Sequence, residues 1–231
     1  MIFKKKLIPV KFEKRYKRFF ADVINNGKKL VAHCPNSGSM LGLTKKGNKS
    51  WISQSDNEKR KLKYTLEIIN DGSSNVGINT LIANRIVEEA LSFKKIKEFE
   101  KIISFKREVV YEKNTRFDFE LKTLKKKIFL EIKNVTLLRK KNIAEFPDSI
   151  TERGLKHINK LQESMNKGYK AYVLFLIQRE DCKYFKIAKD IDPSYFDAYQ
   201  KSKKKGVKFL AYSCKVNNKI IEIKNKIKII N

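Results

Sequence analysis

The sequence predicts an α/β protein of the α+β kind: a small N-terminal β-barrel followed by a mixed-sheet domain. Three observations predict it. Residues 1–79 hold short strand-like runs divided by turn clusters, with little helical periodicity. From residue 80 onward, apolar residues at helical spacing alternate with strand-like runs. One of those runs, "YKAYVLFLIQ", is apolar almost without interruption, as in a strand covered on both faces. The boundary is placed at Asn79–Thr80, giving units 1–79 and 80–231.

The elements follow in order. "RYKRFFADVI" is mixed, with apolar residues toward its end, and "KKLVAHC" is a short strand before the turn cluster "PNSGSM". "KSWISQS" is another strand. "KLKYTLEII" alternates, with Leu62, Tyr64, Leu66 and Ile68 on one face, and "NDGSSN" closes it. An OB-like barrel suits this length and pattern. "TLIANRIVEEALSF" then sets Ile82, Ile86 and Ala90 at helical spacing beside Val87 and Leu91. "SFKREVVYE" is a strand, and "FDFELKTLKKKIFLEIKNV" is a hairpin around a lysine-rich turn. A loop containing "AEFPDSI" leads to a helix striped by Leu155, Ile158, Leu161 and Met165, stopped by Gly168. The buried strand, a helix over "PSYFDAYQKSKKKG", the strand "VKFLAYSC" and a final strand pair complete the chain.

Composition narrows the function classes. A 41% hydrophobic chain of 231 residues has a real core and is not a disordered basic tail. No run approaches ~18 apolar residues, so no transmembrane helix is expected, and "MIFKKKLIPVKF" lacks the apolar stretch of a signal peptide. Cys34, Cys182 and Cys214 are scattered, without CxxC, and there are two histidines. A structural zinc site is therefore not expected, and a reduced cytoplasmic setting is. The net charge of +28 points to a polyanion, DNA first. The plainer account is a compositional lysine bias, since lysine is spread along the whole chain. No basic amphipathic helix stands apart, so a membrane partner is not expected. A homodimer is compatible with the sequence.

The hairpin carries the chemistry. Phe117, Phe119 and Leu121 should share one face, and Ile128, Leu130 and Ile132 the matching one. In the most compact register Phe119 opposes Leu130 and Asp118 opposes Glu131. Opposed carboxylates repel unless exposed, protonated or bridged by a cation, and oxygen donors of this kind suit Mg²⁺ or Mn²⁺. A solvated outer strand face is the plain alternative. Asp, a turn, then Glu-x-Lys on the next strand resembles the PD-(D/E)xK nuclease core. That resemblance implies metal ligation by Asp118 and Glu131, with Lys133 orienting water or stabilising charge at phosphorus. It also implies a helical acid, for which Glu89, at the edge of the apolar arc, is preferred over Glu88. Gln178, ending the buried strand, and the helical pair Arg153 and His157 match RecB-like members, with phosphate contact expected of the pair.

Taken together, "AHCPNSGSM", "SDNEKRKLKYTLEII", "VGINTLIANRIVEEAL", "TRFDFEL", "EIKNVTLL" and "FPDSITERGLKHI" resemble the sugar fermentation stimulation protein A (SfsA) family along nearly the whole chain. The resemblance implies a DNA-binding protein with an N-terminal OB-fold and a PD-(D/E)xK nuclease-like mixed-sheet domain. The chain departs from it only in a more lysine-rich "RKKNIAEFPDS". On the barrel, Lys14, Arg15, Lys17 and Arg18 interleave with Phe12, Tyr16, Phe19 and Phe20, and Lys59, Arg60, Lys61 and Lys63 adjoin Tyr64. These basic residues are expected to meet phosphates, and the aromatics either bases or the barrel core. The turn "HCPNSGSM" could offer backbone N–H groups to a phosphate, or simply turn tightly. Two functions follow: a metal-dependent nuclease-like protein, or a non-catalytic DNA-binding transcriptional regulator of sugar-fermentation genes.

Overall fold

The computed structural model describes residues 1–230. The first unit is built from β1 (Ile8–Tyr16), β2 (Phe20–Asn25), β3 (Lys28–His33), β4 (Lys49–Gln54), β5 (Tyr64–Asn70) and the short β6 (Asn75–Gly77). Strands run in the order β3-β2-β1-β4-β5-β6, and a parallel pairing of Ala32 and His33 with Tyr64 and Thr65 closes β3 onto β5. The result is a five-strand barrel with β6 hydrogen-bonded to β5. Val10, Phe12, Ala21, Val23, Ala32, Ile52 and Leu66 fill it. β5 is buried from Thr65 to Ile69 rather than on one face only. The reason is that its outer side is covered as well: Ile68 and Trp51 pack into the core of the second unit.

The second unit comprises α1 (Ala83–Ser92), β7 (Ser104–Glu112), β8 (Thr115–Lys122), β9 (Lys127–Val135), β10 (Leu137–Lys140), β11 (Ile143–Phe146), α2 (Glu152–Asn166), β12 (Lys170–Ile177), β13 (Tyr184–Ile187), α3 (Pro193–Lys204), β14 (Lys208–Val216), β15 (Ile221–Lys226) and β16 (Lys228–Ile229). Its main sheet has the order β15-β14-β12-β9-β8-β7, with β12 parallel to both β9 and β14. α1 covers one face through Ile86, Val87, Ala90 and Leu91. α2 and α3 cover the other through Ile158, Leu161, Tyr195 and Tyr199. β12 therefore lies between two helical layers, which is why it is apolar from Ala171 to Ile177. Side chains cap both of the latter helices: Thr151 accepts from Gly154 N, and Asp192 from Tyr195 N. Gly168, at φ 83°, ends the turn after α2.

A small third sheet, β10-β11-β13-β16, was not expected, and its β11 overlaps the "AEFPDSI" segment that the sequence suggested as a loop. Strands of two to four residues are too short to show a period. The chain start also belongs to the second unit spatially: Ile2 bridges to Ile220, and Leu7 lies in the α1-side core. Barrel and mixed sheet are locked together at Arg179. The residue is 1% exposed, and its side chain meets Asp71 of the barrel, Asp181 and the Thr136 carbonyl.

Candidate metal and phosphate site

β8 and β9 pair with Phe119 opposite Leu130, in the register the apolar rows require. The regular ladder stops there. Instead of simply facing Glu131, the Asp118 carboxylate turns between the strands, and its Oδ2 accepts from the Ile132 backbone N–H at 2.7 Å. The expected single apolar face is broken at this point: Phe117 packs on the α2 side with Phe129, whereas Phe119 packs into the α1-side core. Asp118 Oδ1 accepts from Asn84 Nδ2 at 2.9 Å. Burial, and then the nearby Glu131 charge, push the Asp118 carboxyl up to about 6.

Glu131 is 4% exposed. Its Oε1 accepts from Lys133 Nζ at 2.8 Å and lies 2.5 Å from His157 Nδ1. An ionised carboxylate has no proton to give, so His157 is the donor. Burial alone would raise Glu131, but Lys133 and His157 outweigh it and hold the carboxyl below its usual range. The second oxygen, Oε2, is buried and has no hydrogen-bond partner. Two neighbouring carboxyls are thus pushed apart in acidity by their surroundings, a pattern typical of functional sites. Asp118 and His157 border a cleft of about 690 Å³, whose walls also carry Arg153, Lys156, Glu108 and Glu152.

Several expected residues fall elsewhere. Glu89 does not face this site; its Oε1 binds the Met1 amine at 2.8 Å, and Glu88 pairs with Arg107. The helical residue that reaches Asp118 is the amide Asn84, which a search for acids passes over. Gln178 is fully buried at the junction with the barrel, where its Nε2 donates to Asn134 Oδ1 and the Asn79 carbonyl, not to the carboxylates. His157 is not a surface phosphate contact: it is 6% exposed and orients Glu131. Arg153 is exposed on the cleft wall.

On the barrel, Lys14, Lys17 and Arg18 are exposed along a cleft of about 690 Å³ shared with Lys46 and Tyr16. Arg15 differs. Its guanidinium donates to the carbonyls of Arg18, Gly38 and Asn36 at 2.6–2.8 Å, so it shapes the "PNSGSM" turn. Lys59, Lys61 and Lys63 are exposed, and Arg60 lies 3.3 Å from His33 Nδ1. Phe12 fills the barrel core, while Tyr16 stacks on Phe20 with centroids 5.5 Å apart. The turn does meet a carboxylate: Met40 N–H points at Asp148 Oδ2, 3.3 Å away.

Among the described residues no three Asp, Glu, His or Cys side chains form a ready-made metal cage. The donor set that remains is two carboxylates, one with a buried unpartnered oxygen. It fits a hard divalent cation that keeps most of its water, with the His157 imidazole already turned to Glu131.

Comparison with known proteins bears on the whole chain. The profile described as "SfsA N-terminal OB domain" matches residues 14–78, and "Sugar fermentation stimulation protein RE domain" matches residues 81–220. A Pelagibacter ubique protein named sugar fermentation stimulation protein homolog is 55% identical over 100% of both chains. One of the same name from Brucella anthropi is 41% identical over 96% of this chain and 97% of its own. Among solved structures, Pyrococcus furiosus SfsA, described as in complex with Ca²⁺, superposes with a TM-score of 0.89. It is 23% identical, covering 100% of this chain and 98% of that one.

Proposed function

The chain belongs to the sugar fermentation stimulation protein (SfsA) family, and from that premise we propose that it binds DNA through the barrel and cleaves phosphodiester bonds at Asp118, Glu131 and Lys133 with Mg²⁺ or Mn²⁺. The observation that carries this reading is the buried, unpartnered Glu131 Oε2 beside the half-buried carboxyl of Asp118. Buried polar atoms are normally satisfied, and a hard cation is a partner suited to two carboxylates. The Pyrococcus furiosus relative is described with Ca²⁺, a cation of that class.

Asp118 and Glu131 would hold such a cation, and the chemistry it would supply there is charge neutralisation on a phosphate oxygen and a more acidic water. The chain's own groups do the rest. Asn84 and the Ile132 N–H fix Asp118, and His157 fixes Glu131. Lys133 gives one N–H to Glu131; its other donors orient water or meet the negative charge that grows at phosphorus. Arg153 and Lys156, on the cleft wall, hold the flanking phosphates.

A non-catalytic DNA-binding regulator is the second reading. The observation on its side is that Lys133 and His157 already satisfy Glu131 Oε1 within the fold. Incubating single-stranded, duplex and branched DNA with the protein and Mn²⁺ or Mg²⁺ separates the two. Cleavage is expected, and Asp118→Ala or Lys133→Ala should abolish it while leaving binding largely intact. Binding with no cutting of any substrate supports the regulator.

A further inference from the structure

A separate cavity of about 340 Å³ lies where the barrel meets the second unit, and none of Asp118, Glu131, Lys133 or His157 lines it. Asn36, Thr80, Asn134 and Thr136 give it polar walls, Phe146 and Pro147 an apolar one, and Asp148 a carboxylate. It continues the basic cleft of the barrel, since Arg18, Ser37, Gly38 and Ser149 border both. At its other end it reaches Thr151; the next two residues, Glu152 and Arg153, border the cleft over Asp118. The cavity thus adjoins the basic cleft directly and neighbours the Asp118 cleft through the start of α2.

Its lining is wrong for phosphate, because Asp148 and Glu145 are on the wall. Glu145 is occupied by Arg139 and Lys186. Asp148 has only long contacts, 3.3 Å from Met40 N and 3.5 Å from Ser39 Oγ. A carboxylate in that state retains acceptor capacity for adjacent N–H donors, and among the bases guanine presents two side by side, a ring N–H and an amino group. Bases taken out of a stack are held in this manner, by edge hydrogen bonds and apolar contact to the ring. Gly38 is what admits the carboxylate: a Cβ there would fall 2.2 Å from Asp148 Oδ2.

We infer, resting on the nucleic-acid reading above, that this junction cavity is a nucleobase pocket that takes one base of a bound strand, guanine preferred, with Asp148 reading its donor edge. Anisotropy titrations of the full chain without divalent cation test it, using thymine-only strands with one guanine walked along them. One guanine position should tighten binding on the order of tenfold over the all-thymine strand. Asp148→Asn, which keeps an acceptor for Met40 N, should cut that gain to under about threefold with an unchanged unfolding midpoint. Ser149→Trp, an exposed residue at the mouth, should block the gain as well, and it decides the matter if Asp148→Asn does not fold. Equal affinity at every guanine position overturns the pocket while leaving DNA binding standing, and so does a gain that survives either folded variant. No binding to any strand, single or paired, at low salt overturns the nucleic-acid reading itself.

Discussion

Asp118 combines a half-buried position, a neighbouring carboxylate and a pKa raised from 3.8 to about 6. The folded chain thus holds this proton more tightly than the unfolded one. Stability from Asp118 is fully present below the unfolded pKa and lost as pH rises through about 6. The loss is up to about 3 kcal/mol. Asp118→Asn should therefore unfold at a higher temperature than the parent at neutral pH in chelator, with the gap closing in acid. Mn²⁺ should raise the parent's midpoint and not the variant's, because the cation offsets the buried negative charge. Equal midpoints under all three conditions would contradict the assigned desolvation and the metal reading together. At this scale the sequence exposed Asp118, Glu131 and Lys133, because charges in an otherwise apolar hairpin stand out. Asn84 and the inward turn of His157 were hidden: an amide or a histidine at the edge of a helical stripe is ordinary until a partner is seen.

The long elements were legible because each spans several periods. α1 buries Ile86, Val87, Ala90 and Leu91 as its spacing requires, and β12 is buried from Val173 to Ile177 as its unbroken apolar run requires. β10, β11, β13 and β16 were not legible, and neither was the break in β8, where a side chain replaces a backbone acceptor. Arg179 is the charged link between the two units, beside the apolar contacts of Trp51 and Ile68. Burial pushes the Asp71 carboxyl up, but the Ser74 and Ser73 N–H groups and the Arg179 charge outweigh that and bring it below the usual range. Arg179→Ala should destabilise the fold by about 3–5 kcal/mol in urea unfolding, since Asp71 would remain without its buried partner. Arg179→Lys should recover little, because one ammonium cannot serve two carboxylates and a carbonyl in a planar fork. A loss under about 1 kcal/mol would show that the units are held together elsewhere.

Across the whole molecule, a charge of +28 predicts DNA affinity that falls steeply with salt. Arg18→Ala and Lys17→Ala should each lower the log–log salt slope by about one. Arg15→Ala should instead lower the unfolding midpoint, because its guanidinium is spent on three carbonyls of the fold. Unchanged slopes in the first two variants would move the phosphate contacts off the barrel cleft. By itself the sequence determined the two-part plan, the hairpin register and the acidic–lysine set, all of which are written in local periodicity and in charges placed against it. The tertiary structure decided which groups meet across the chain: Asn84 with Asp118, His157 with Glu131, Glu89 with the Met1 amine, and Asp148 with the Gly38 turn. Such contacts depend on how helices and barrel are set against the sheet. Residues 26 to 110 positions apart have no local pattern that records their pairing.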